Sequence, residues 1–139
     1  MSVPEHLWRF PTADAIKNLA SRFDLPTGDD MQDWAWEVAD PDRIDEFLDA
    51  YHNEHLTDDE RFTLMEKIIQ SFADMEAEMT QHGRWPQFLS TIEGNIDLHI
   101  YSLWYWSRTG DELGGDQWLV TPFLRSILAR HRKRFEKAT

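Results

Sequence analysis

The segment that most constrains the fold runs from Thr57 to Met79. Thr57-Asp-Asp-Glu60 has the form of a capping box, in which the Thr57 hydroxyl accepts an amide of the first helical turn and the Glu60 carboxylate returns to the Thr57 amide. Asp58, Asp59 and Glu60 place three acids where the helix dipole favours negative charge. Behind them Phe62, Met65, Ile68, Ile69, Phe72, Met75 and Met79 recur at intervals suited to one helical face, which predicts a five-turn amphipathic helix.

The same periodicity dominates the rest of the chain, and strand alternation is almost absent. Thr12 is placed to cap a helix whose stripe is Ile16, Leu19, Ala20 and Phe23, and Asp24 to Gly28 reads as a turn. A short helix follows, capped by Asp29 or Asp30, with Met31, Trp34, Ala35 and Val38 inward; it must stop at Asp40-Pro41. Asp40 then caps a helix with the stripe Ile44, Phe47, Leu48 and Tyr51. Gly83 and Pro86 separate the long helix from a short one around Phe88, Leu89 and Ile92, which Gly94-Asn95 interrupts. Ile96 to Trp106 is apolar nearly all round, which predicts a central helix buried on several sides. After a glycine-rich connector from Arg108 to Gln117, Thr121-Pro122 starts a last helix with Leu124, Ile127, Leu128, His131 and Phe135.

The expectation is one all-α domain over residues 1–139, with about seven helices in antiparallel hairpins, forming an irregular bundle or a short HEAT-like superhelix. A weak internal echo supports the second form: Phe47-Leu48, Phe88-Leu89 and Phe123-Leu124 each open a helix that follows a proline, the first two pairs 41 residues apart. Three stretches, Thr57 to Phe72, Leu98 to Ser107 and Val120 to Arg125, resemble a group of short all-helical bacterial proteins without an established activity. The resemblance runs from about Asp40 onward; it implies the fold and carries no function.

Charge limits the partners. The 139 residues hold 14 Lys and Arg against 26 Asp and Glu, a net charge of -12. Residues 121–139 carry +5 and residues 1–120 carry -17, and Asp24 to Glu60 alone has fourteen acids against Arg43. Like charges at this density cost each helix a few tenths of a kcal/mol per pair, whereas a concentrated negative field steers a basic partner. Asp29, Asp30, Asp33, Glu37, Asp42, Asp45, Glu46 and Asp49 are therefore candidate partner-binding residues, with Trp34 or Trp36 as an aromatic anchor. An immunity-type inhibitor of a toxin or nuclease is the sharpest version of this reading.

Two alternatives come from other classes. An enzyme or ligand-binding protein could line a pocket with Tyr101, Trp104, Tyr105, Trp106 and Trp118 around His99. The basic helix Arg125 to Lys137 could bind nucleic acid, although phosphates would be repelled by the acidic half; pairing with that half, within the chain or in a homodimer, is the stronger expectation.

Catalytic signatures are missing: no Gly-x-Ser-x-Gly, Walker loop, Gly-x-Gly-x-x-Gly or His-Glu-x-x-His occurs. Asp49 and His52 share a helix face near His55, and Glu78 with His82 is the other acid-histidine pair. This falls short of the paired acid-x-x-His motifs of a dinuclear centre, so neither metal nor cofactor is expected. The chain has no cysteine, which excludes disulfides and thiolate chemistry. With no leader and no apolar run long enough for a bilayer, a soluble cytoplasmic protein without membrane attachment is expected.

Overall fold

The computed structural model describes residues 3–27, 34–107 and 119–135. Among them are seven α-helices, three 3-10 turns and no strand, an all-α helical bundle. The one domain expected from the length gathers into two compact units, residues 10–75 and residues 1–9 with 76–139.

In the unit of residues 10–75, helices α1 (Ala13–Phe23), α2 (Trp34–Glu37) and α3 (Ile44–Asn53) all pack on α4 (Asp58–Asp74). The capping box forms as the sequence predicts: the Glu60 amide donates to Thr57 Oγ1 at 3.1 Å and the Thr57 amide to Glu60 Oε1 at 2.9 Å. Accepting that amide holds the Glu60 carboxyl below its ordinary range, with Asn18 adding a second donor. Thr57→Ala is expected to cost about 1 kcal/mol in urea unfolding, the usual value of a lost N-cap.

The α4 helix is shorter than its stripe. It ends at Asp74 because Glu76 takes a left-handed conformation at φ 55°, and a 3-10 turn over Glu76–Gln81 carries Met79 into the core instead. Helix α1 closes likewise on Asp24 at φ 57°, where the Leu25 amide reaches back to the Ala20 carbonyl at 2.8 Å. Its buried face uses Ala15 rather than Ile16, which is only half-buried. Asp40 caps a 3-10 turn (Pro41–Arg43) through the Asp42 amide, and α3 begins after that turn.

Because three helices cover it, α4 buries two faces. Besides the apolar stripe, Thr63, Lys67 and Ser71, spaced four apart, are fully buried. The two hydroxyls satisfy themselves on their own helix: Thr63 Oγ1 donates to the Asp59 carbonyl and Ser71 Oγ to the Lys67 carbonyl, each at 2.8 Å. Ser71 also accepts the Asp40 amide at 3.0 Å, which ties the α2–α3 connection to α4.

The second unit holds α5 (Trp85–Gly94), α6 (Ile96–Trp106) and α7 (Thr121–Phe135). Helices α6 and α7 form its main packing pair, and α6 is buried on several sides as expected. Thr121 does not act as a cap; it lies inside the first turn, its hydroxyl buried without a hydrogen-bond partner, while the Val120 carbonyl accepts the Leu124 amide at 3.2 Å. The three echoed Phe-Leu pairs have different environments. Phe47 and Leu48 are both buried, Leu89 is half-buried, and Phe123 is exposed.

Candidate functional site

The two units divide the charge completely. Residues 10–75 contain seventeen acids and five bases, a net of -12, whereas the other unit has nine of each. Packing commits most of the bases of the first unit to internal contacts. Arg22 lies against Glu54, with Nε 2.8 and 2.9 Å from its two oxygens and a further bond from Nη2. Arg43 grips Glu46 at 2.8 and 2.9 Å and donates to the Phe23 carbonyl at 2.9 Å. Arg61 donates to the Leu56 carbonyl and lies 5.7 Å from the Tyr51 ring centroid. Lys67 is in the core, so four of the five bases are spent on internal contacts.

The α3 helix turns Ile44, Phe47, Leu48 and Tyr51 inward and leaves Asp45, Glu46 and Asp49 exposed, with Asp42 exposed on the preceding turn and Glu37 on α2. Glu46 belongs with Arg43, whose hydrogen bonds hold its carboxyl below the usual range. Asp29, Asp30 and Asp33 lie outside the described residues, as does the side chain of Trp36. Trp34 is no surface anchor: it is 2% exposed, and its indole N–H donates to the Pro26 carbonyl at 2.9 Å. One turn of helix beside α4 points it at the core.

Trp34 is instead a wall of a site that the hydrophobic pattern did not flag. The Lys67 Nζ lies 3.5 Å from the ring centroid of Phe47, 4.5 Å from that of Phe23 and 5.7 Å from that of Trp34. Phe23 and Phe47 meet edge to face, their centroids 5.2 Å apart. The amine makes no hydrogen bond. Ring faces attract a cation by their quadrupole, but the loss of water outweighs them here. Burial pushes the Lys67 amine down to about 7; the Arg43 guanidinium acts in the same direction, and Glu46 and Asp40 oppose it. An amine that titrates near neutrality within aromatic walls can exchange a proton where an ordinary lysine cannot. Its one sequence signal is the absence of any acid three or four residues away: Thr63, Leu64, Gln70 and Ser71 occupy those positions.

In the other unit, His99 is fully buried, and burial, reinforced by Arg9, pushes its imidazole down to about 3. An imidazole that stays neutral, weakly basic and closed to solvent is poorly matched to acid–base work near pH 7. Tyr101 and Tyr105 are half-buried and stacked at 6.2 Å, Trp104 is buried with the Arg132 guanidinium 5.0 Å from its ring centroid, and Trp106 is buried. Trp118 lies outside the described residues.

Arg130, His131 and Arg134 of the basic helix pair with acids of their own unit. Arg130 makes two 3.0 Å bonds to Glu93, His131 adds one at 2.8 Å, and Arg134 reaches Asp97 at 2.5 Å. Among the described residues no group of three His, Asp or Glu is arranged to hold a metal ion, and no helix is long and apolar enough to cross a membrane. No protein family, curated protein or solved structure was found to match this chain.

Proposed function

We propose that this protein is a non-enzymatic interaction protein whose acidic unit binds a basic protein surface, an inhibitor of a cationic toxin or nuclease being its sharpest form. The supporting observation is the division of charge: the whole net charge of -12 belongs to residues 10–75, where four of the five bases are engaged internally. The exposed carboxylates of Asp42, Asp45 and Asp49 lie on or beside α3, a helix anchored by fully buried Ile44, Phe47 and Leu48, so they form part of a preorganised surface. A negative surface of this kind accelerates encounter with a positive partner and loses that advantage as salt screens it.

The test is capture from a lysate of the source organism at low salt, identification of the retained protein, and binding kinetics with the purified pair. Asp42→Asn/Asp45→Asn/Asp49→Asn is expected to lower affinity at least tenfold, mostly through the association rate, and to flatten the dependence of affinity on salt. An affinity unchanged by the triple substitution at every salt concentration would remove this reading.

A further inference from the structure

We propose that Lys67 is a proton-operated latch on α2: the neutral amine holds Trp34 and its helix closed on α4, and protonation of the amine releases them. The geometry supplies both halves of such a device. Lys67 Nζ is fully enclosed, without a hydrogen bond, against ring faces contributed by three different helices. A charge there can regain water only if one wall moves.

The three walls are not equally firm. Phe23 ends an eleven-residue helix and Phe47 lies in the middle of a ten-residue one. Phe23 and Phe47 also brace each other edge to face, whereas Trp34, at 5.7 Å the wall farthest from the amine, stands outside that ring pair. Its described polar ties are the indole bond to Pro26 and one backbone bond, from the Val38 amide to the Trp34 carbonyl at 3.0 Å. The wall outside the braced ring pair is the one that yields, and it belongs to α2.

The charged groups around the cage set where the latch works. From α1, Arg22 lies 4.8 Å from the Phe23 ring centroid; Asp24 follows at the helix end. From the 3-10 turn come Asp40 and Arg43, the latter 5.4 Å from the Phe47 centroid, and from α3 comes Glu46. Glu37 of α2 is exposed. Arg43 is held by Glu46, so its charge remains beside the cage throughout the neutral range and opposes a second cation. The amine, titrating near 7, is mostly neutral at pH 8 and mostly charged at pH 6.

Hydrogen exchange of the Val38 amide and the Trp34 indole, corrected for intrinsic rates, tests the latch at pH 6 and pH 8. In the wild-type protein the protection of both is expected to fall about tenfold at pH 6, the change in neutral fraction for a group titrating near 7. The amides of Ile68 to Phe72 should keep theirs, and Lys67→Met should abolish the difference. An equal fall in Lys67→Met, or none in the wild type, would overturn the latch. If Lys67→Met does not fold, NMR titration of the wild type decides. A Trp34 indole resonance that shifts with the midpoint of Lys67 Nζ supports the proposal, and one that does not shift across that midpoint refutes it.

Discussion

Replacing Lys67 by methionine is expected to stabilise the protein at pH 6 by about 2–4 kcal/mol and to flatten its pH dependence up to pH 9. The folded-state amine titrates near 7, far below the 10.5 of an exposed lysine. Between those values the unfolded chain binds a proton that the folded chain has released, so wild-type stability rises with pH across this window. Below about 7 both states are protonated, and the penalty for the buried charge is fully present. One pKa unit corresponds to about 1.4 kcal/mol, so the rise from pH 6 to pH 9 approaches roughly 3 kcal/mol. Opening of α2 at low pH caps it below that figure. Methionine has nearly the same length, sits well against rings and carries no charge. Urea unfolding at pH 6, 7, 8 and 9 for both proteins measures the effect; parallel curves would show that Lys67 is not its source. The window closes before Tyr51, pushed up to about 12 by burial, begins to matter.

Phe47→Ala is expected to destabilise the protein by about 4 kcal/mol at pH 8. The ring is fully buried on α3, meets Phe23 edge to face and lies 3.5 Å from Lys67 Nζ, so truncation leaves a cavity at the centre of the acidic unit. The same substitution removes the nearest ring face from the ammonium, so at pH 6 the loss should grow by about 0.5–2 kcal/mol. That increment should vanish when Lys67 is already methionine, since no cation then remains to lose its wall. A double-mutant cycle by urea unfolding at both pH values separates the two contributions. Equal losses at pH 6 and pH 8 in the Lys67 background would show that the ring acts by packing alone.

The exposed carboxylates and the buried lysine bear on one another. Glu46 and Asp40 favour the charged form of Lys67, whereas Arg43 disfavours it. A basic surface docked on α3 would bring more positive charge toward the cage and push the amine further toward neutrality. Partner binding and closure of α2 would then favour each other, by an amount limited to the change in the amine's proton affinity.

What could be read without coordinates was local. The Thr57 to Glu60 box and the Gly94-Asn95 break each depend on residues within one turn of each other, and both appear where the spacing places them; α2 ends at Glu37, ahead of Asp40-Pro41, and Asp40 caps a 3-10 turn. Where the backbone left that rule, a single residue decided: Glu76 at positive φ ended α4 before Met79, although both the stripe and the burial of Met79 persist. Thr121 shows the converse, because a side chain with capping chemistry was drawn into the core.

Tertiary structure alone decided the rest. A helix with one apolar stripe implies one buried face, but three helices crowd α4, and its second face of Thr63, Lys67 and Ser71 is buried as well. The pairings Arg22 with Glu54 and Arg130 with Glu93 span 32 and 37 residues, beyond the reach of any local pattern. The sequence by itself determined where the helices begin and how much charge the chain carries, because caps and counts need no neighbours. Which acids pair with a base far along the chain, and which lysine loses water, depended on helices meeting in the folded structure.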